Sequence, residues 1–126
     1  MIDKNVRYTE NHEWVRDEGD LFVVGITQYA ADQLGDITFV ELPEVGDEFA
    51  QDEEAATVES VKAASDVYSP ISGRVAETNS VLDAKPEIIN KSPYDEGWFF
   101  KMEAADPSEM DDLMDSKEYE AFLKEL

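Results

Sequence analysis

Lys62 lies in Val58-Glu59-Ser60-Val61-Lys62-Ala63-Ala64-Ser65-Asp66-Val67-Tyr68-Ser69-Pro70, a lone cation in a chain with 31 Asp and Glu against ten Lys and Arg. An amine in that setting is open to two kinds of chemistry. A Schiff-base nucleophile needs its pKa depressed by burial or by a second cation. Glu59 and Asp66 supply the opposite, since nearby carboxylates hold an ammonium charged. An attachment point needs only exposure, a defined backbone and a flexible stem that can root a longer arm. The residues favour that second use, a modified lysine and not a salt-bridge lysine.

The elements that must hold Lys62 are left open by the pattern around it. Val58, Val61, Ala64 or Ser65, and Tyr68 recur at helical spacing, and Ala63-Ala64 favours helix. Yet the stretch is bounded by Ser69-Pro70-Ile71-Ser72-Gly73, and Thr57, Val58, Val61, Val67 and Tyr68 are strand formers on either side of a tip at Lys62-Ala63. Such a hairpin breaks a local rule, because Lys-Ala is not the Asn-Gly or Asp-Gly pair of tight two-residue turns. Either something besides turn chemistry fixes the tip, or it is an ordinary type I turn, which tolerates both residues.

Around this segment the sequence reads as mainly β. Val6 and Tyr8 alternate with polar neighbours and lead through His12-Glu13-Trp14-Val15-Arg16 to a turn at Asp17-Glu18-Gly19-Asp20. Leu21 to Ile26 is a nearly continuous apolar run, the pattern of a strand buried on both faces. Thr27 is placed to cap a short helix through Leu34, with Gly35 just past its end. Strand composition returns at Asp36 to Leu42, stops at the turn signal Pro43-Glu44-Val45-Gly46-Asp47, and resumes near Glu48-Phe49, at Gly73 to Glu77 and at Trp98 to Met102. Asp106-Pro107-Ser108-Glu109 is a strong helix start, and Ser116 opens a second helix with Tyr119, Phe122, Leu123 and Leu126 on one face. The expected whole is a single domain, 1–126, with a β body over about 1–103 and terminal helices over about 107–126, consistent with its length.

Composition narrows the partners. A formal net charge of −21 repels phosphate backbones and anionic membranes on encounter, so neither nucleic acid nor a membrane is expected. The charge serves solubility or steers partners with basic patches, and composition does not choose between them. Without cysteine, thiol catalysis, disulfides and thiolate metal sites are excluded. A single histidine, His12, leaves no polyhistidine metal site. No apolar run approaches the roughly 20 residues of a membrane span, and Met1 to Arg7 lacks the features of a secretion signal. A soluble, cytoplasmic, prokaryotic monomer is the expectation.

One series of residues is more specific than any of these patterns. In chain order come Tyr8-Thr9 with His12-Glu13-Trp14-Val15, Val24-Gly25-Ile26-Thr27, Leu34-Gly35-Asp36 and Val40-Glu41-Leu42-Pro43. They are followed by Glu59-Ser60-Val61-Lys62-Ala63, Ser65-Asp66-Val67, Pro70-Ile71-Ser72-Gly73, Pro86-Glu87 with Asn90, and Pro93-Tyr94 with Gly97-Trp98. Together they cover nearly the whole chain, which resembles the H-protein family of the glycine cleavage system, lipoyl carriers of glycine catabolism. The resemblance implies a flattened barrel or sandwich of two antiparallel sheets, like that of biotinyl carriers, with a short internal helix and C-terminal helices. It also implies lipoate in amide linkage on Lys62, at a hairpin turn. Biotin carriers usually flank the lysine with methionines, whereas Val61 and Ala63 flank it here.

The family members are shuttles and not catalysts. In the family the P protein, a glycine decarboxylase, transfers an aminomethyl group to a sulfur of the oxidised lipoyl disulfide. The T protein, an aminomethyltransferase, moves its carbon to tetrahydrofolate and releases ammonia, and the L protein, a dihydrolipoyl dehydrogenase, reoxidises the dithiol. A carrier without cysteine suits this cycle, because no protein thiol can exchange with the arm. The loaded arm rests in a cleft away from water. By position Glu13 and Asp66 match acidic residues lining that cleft, where a carboxylate suits a protonated amine, and Glu59 matches a position open to reading by lipoylating enzymes. On the residues alone, Glu13 reads equally as an exposed strand carboxylate beside a core tryptophan, and Glu59 as solvating the turn. His12 reads as orienting the hairpin or capping a backbone group. The chain departs from the family at Gln51 to Ala56, where glycine is frequent, and at Asn11, where a small hydroxyl residue is. The same lysine would also serve a lipoyl relay that donates lipoyl groups to other complexes, and a third reading is an acidic binding domain with nothing attached.

Overall fold

The computed structural model describes residues 6–126; the first five residues, part of the stretch read as lacking a secretion signal, lie outside the described residues. Strands are numbered in chain order. One sheet runs β1 (Arg7–Tyr8), β2 (Glu13–Asp17), β3 (Phe22–Ile26), β9 (Phe100–Ala104), β8 (Gly73–Thr78), β5 (Glu48–Phe49) across its width. The other runs β4 (Ile37–Glu41), β6 (Glu54–Ser60), β7 (Ala64–Tyr68). Every pairing is antiparallel. Neither sheet closes on itself, so the architecture is a sandwich and not a closed barrel.

All five residues of β3 are buried, as its unbroken apolar run requires. Phe22, Val24 and Ile26 pack into the core between the sheets, while Val23 joins a second cluster with Val6, Tyr8, Trp14 and Tyr119. Each such side chain contributes on the order of 1.5–3 kcal/mol by leaving water. Gly25 cannot carry a side chain here, because a Cβ would stand 2.6 Å from Cζ2 of Trp14.

Helix α1 (Gln28–Leu34) begins at Thr27, whose hydroxyl accepts from Ala30 N at 3.2 Å, and ends at Gly35, which has φ +78. At the other end of the chain Asp106 caps Pro107–Asp112 as expected, but that segment is a 3₁₀ helix. The cause lies just beyond it: Leu113 is extended, and Met114 exchanges two backbone hydrogen bonds with Tyr8, at 2.8 and 2.9 Å. Two single-turn helices, α2 (Val81–Ala84) and α3 (Ile88–Lys91), are too short to show periodicity. The strand expected at Trp98 starts two residues later, at Phe100. Helix α4 (Ser116–Lys124) carries a capping box between Asp115 and Glu118 and buries Tyr119. Phe122 and Leu123 are half-buried, whereas Leu126, expected on the same face, lies beyond the helix and is exposed.

Candidate functional site around Lys62

The lysine segment is a hairpin, which removes the helical alternative. Strands β6 and β7 pair in register Thr57↔Asp66, Val58↔Ser65 and Glu59↔Ala64, and Ser60 N donates to Ala63 O at 2.8 Å. The tip is therefore Val61-Lys62, one residue earlier than Lys62-Ala63. No primed turn is used: among the described residues the non-glycine positions with positive φ are His12 and Asp52. What fixes the tip is a side chain. The Ser60 hydroxyl oxygen accepts from Lys62 N at 3.2 Å and from Ala63 N at 3.1 Å, the local bond by which serine mimics a backbone turn. A second restraint comes from outside the hairpin, where Val61 N donates to Asp36 O at 3.2 Å.

Lys62 is exposed. Among the described residues the ion pairs are Arg16–Glu18, Arg74–Glu103 and Lys124–Glu120, so the amine is committed to no carboxylate. Its stem folds back over the end of α1: a Cβ on Gly35 would stand 3.0 Å from Lys62 Cε and 3.7 Å from Nζ. Glu59 is exposed on β6 beside the tip, paired with Ala64.

Glu13 is not the exposed strand carboxylate that its residue type suggests. It is 1% exposed, accepts from the Thr9 hydroxyl at 2.5 Å and from Tyr68 N at 3.1 Å. Burial pushes its carboxyl above the ordinary range, the charge of Asp52 adds to this, and the two hydrogen bonds oppose it. Tyr68 lies on β7, so the bond joins the first sheet to the outer edge of the second. Asp66, exposed, is two residues away on that edge. The structure thus gathers Glu13 and Asp66 along β7 but sets Glu13 at the far end of the hairpin, about six residue steps of about 3.3 Å, roughly 20 Å, from Lys62 to Tyr68.

His12 neither orients the lysine hairpin nor caps a backbone group. It stands at φ +68 in the turn from β1 to β2, and its Nδ1 is 2.8 Å from the Tyr119 hydroxyl on α4. That hydroxyl is also 2.8 Å from Thr27 Oγ1. A chain of donors from Ala30 N through Thr27 and Tyr119 to a neutral His12 satisfies every group, and burial lowers the histidine pKa accordingly. Asn11 is exposed, and its backbone N donates to the Thr9 hydroxyl.

The stretch Gln51 to Ala56 resolves into a turn and the start of β6. Asp52, at φ +68, donates its N–H to Ser69 O, and Gln51 bonds Ser72 Oγ and Pro70 O. This turn forms one wall of a cavity of about 330 Å³ whose other walls include Thr9, Asn11 and Met114. Ser60, Asn90 and Thr9, which the sequence reading places in the family series without a role, turn out to hold the site's backbone and side chains. Ser60 was detectable, since a serine two residues before a tip amide is an established turn former; Asn90 acts only through tertiary contacts. Among the described residues no buried side-chain nitrogen or oxygen lacks a hydrogen-bond partner, and no cluster suited to a metal occurs.

Comparison with known proteins bears on what this arrangement is for. The sequence model of a family described as Glycine cleavage H-protein matches residues 6–126. A glycine cleavage system H protein of Symbiobacterium thermophilum is 52% identical over 98% of this chain and 97% of its own. That of Methylocella silvestris is 57% identical over 95% and 96%. The crystal structure of a glycine cleavage system H protein from Mycobacterium marinum superposes with a TM-score of 0.88 at 34% identity, covering 99% of this chain and all of that one.

Proposed function

The chain belongs to the glycine cleavage H-protein family and is a lipoyl carrier of the glycine cleavage system; from that premise we propose that lipoate is attached in amide linkage to Lys62. The observation that carries this reading is an exposed lysine at a two-residue tip, outside every ion pair of the described residues. An amine so placed fits an acylating active site without unfolding any element, and its four-carbon stem adds reach. When bound, lipoyl would supply a disulfide able to take the aminomethyl group on one sulfur while the other becomes a thiol, and would be a dithiol only once that group had passed on. This chain's own groups hold, orient and shield. It acts as a non-catalytic carrier between the P protein (glycine decarboxylase), the T protein (aminomethyltransferase) and the L protein (dihydrolipoyl dehydrogenase), after modification by lipoylating enzymes.

Asp66 and Glu13 line the resting place of the loaded arm along the free edge of β7. Support comes from the burial of Glu13 and from its bond to Tyr68 on that edge. Glu59, exposed next to the tip, is read by the lipoylating enzyme. The protein works as a cytoplasmic monomer of one domain; no helix among the described residues is long and apolar enough to cross a membrane.

Intact mass and peptide mapping of protein from lipoylating cells test the assignment. The lipoyl mass is expected on the Lys62 peptide and absent after Lys62→Ala, with an unchanged melting temperature, because an exposed tip contributes little packing. Unmodified Lys62 in cells that lipoylate their other carriers would end the proposal.

A further inference from the structure

Three groups outside the hairpin converge on its tip, and one side chain ties them together. Gly35, Asp36 and Ile37 form the bend between α1 and β4. The carbonyl of Asp36 holds Val61 N, and Gly35 underlies the Lys62 stem. The bend itself is clamped from below by Asn90 on α3, whose Nδ2 donates to Gly35 O at 2.8 Å and whose Oδ1 accepts from Ile37 N at 3.0 Å. A carboxamide is suited to this because it offers a donor and an acceptor side by side in one plane. Aspartate lacks the donor, and leucine, of similar size, lacks both.

We propose that Asn90 is a positioning residue for Lys62: by fixing the Gly35–Ile37 bend, it holds the hairpin tip in one pose for the enzyme that acylates the amine. This rests on the reading of Lys62 as the lipoyl site. Gly35 suits the bend because its φ of +78 is a conformation that side chains avoid; a Cβ there would also displace the flexible end of the Lys62 side chain. The hairpin does not need Asn90 for its own pairing, which runs through Ser60 and the β6–β7 ladder. The β4–β6 ladder, which ends at Ile37↔Ser60, ties the hairpin to the body, and Asn90 fixes the bend just beyond it that meets Val61 and Lys62. A lipoate-adenylating ligase must bring the unprotonated Lys62 nitrogen onto the acyl carbon of lipoyl adenylate, a mixed anhydride, where the amide bond forms, the acyl–phosphate bond breaks, AMP departs and the nitrogen loses a proton. Misplacement of about 1 Å is enough to slow such a step by up to 10²-fold.

The test uses the full-length unlipoylated protein with a lipoate-adenylating ligase, lipoate and MgATP, together with amide exchange read residue by residue. For Asn90→Ala, kcat/KM for the carrier should fall about tenfold. Exchange of the Val61 amide should quicken at least as much, while the β6–β7 ladder keeps its protection. Val75→Ala, a core truncation on β8 in the other sheet, should lower stability and leave kcat/KM unchanged. Asn90→Asp, which keeps the acceptor for Ile37 N and loses the donor to Gly35 O, should also slow lipoylation and quicken Val61 exchange, and it takes the place of Asn90→Ala in every comparison if that variant does not fold. A folded Asn90→Ala protein with wild-type kcat/KM and a protected Val61 amide would overturn the proposal. So would equal losses in Asn90→Ala and Val75→Ala, which would make the effect one of general stability. If the wild type took lipoate elsewhere or not at all, the carrier reading would fail, and Val61 exchange would still report whether Asn90 holds the tip.

Discussion

A carboxylate buried like Glu13 works against folding at neutral pH, which makes it a residue whose cost can be measured. Its folded-state pKa is raised, with desolvation the largest cause. Below the ordinary glutamate range, near pH 4.3, both folded and unfolded chains carry the proton and its contribution is intact. As pH rises the unfolded chain ionises first, and stability is lost until the folded carboxyl ionises too. Glu13→Gln removes the charge and keeps an acceptor for Tyr68 N, but loses the Thr9 bond, because the Thr9 hydroxyl oxygen already accepts from Asn11 N and Glu13 N. That loss is the same at every pH, so the melting temperature of Glu13→Gln relative to wild type should rise between about pH 4 and about pH 7 as the wild type takes on its buried charge. Melting curves at the two pH values decide it, and a difference that stays constant or shrinks toward neutral pH would refute the argument. The proposed place of Glu13 beside the loaded arm would account for that cost, since functional sites are where local rules are broken. None of this burial was legible in the sequence, because carboxylates are so seldom buried that residue type argues the other way. The exposed hairpin tip at Lys62, by contrast, was one of the two readings its neighbours in sequence allowed.

Among the elements, the lysine hairpin depends on a single hydroxyl and helix α4 on a single cap. Ser60→Ala leaves the Lys62 and Ala63 amides to water and should cost about 0.5–1.5 kcal/mol. Ser60→Thr, which restores the hydroxyl on a strand-favouring side chain, should recover most of that in denaturant titrations. At the far end, Asp115→Ala breaks the capping box and should cost about 1 kcal/mol, within 0.5–2. Amide exchange should then rise in the first turn of α4 before it rises in β2 or β3. Both elements illustrate what a linear pattern can carry. α1 was readable from both ends because Thr27 and Gly35 act on atoms within a few residues of themselves. The lysine hairpin was ambiguous because Ala63-Ala64 and the spacing of Val58, Val61 and Tyr68 satisfy a helix as well as a strand. That choice is made by β4, which pairs with β6 from some twenty residues upstream. The 3₁₀ turn after Asp106 was misjudged for the same reason: its helix signals are genuine, but Tyr8 pulls Met114 into a bridge and ends the winding.

On the scale of the molecule, a net charge of −21 sits on a sandwich whose ion pairs, among the described residues, number three and are all at least partly exposed. Exposed pairs of this kind are each worth about 0–1 kcal/mol, too little to offset repulsion among 31 acidic side chains. The fold is held by its two apolar clusters against that repulsion. Salt should then act in opposite directions on stability and on encounter. The Debye length falls from about 10 Å at 0.1 M to about 3 Å at 1 M, so self-repulsion is screened and the melting temperature should rise across that range. Over the same range, association with any partner that presents a basic face should slow, because its steering works over distances that salt erases. Chloride salts are the right probe, since sulfate would strengthen apolar burial as well and confuse the two causes. A melting temperature that stays flat or falls between about 0.1 and 1 M sodium chloride would show that the acidic surface is already balanced, and that its charge serves partners without cost to the fold.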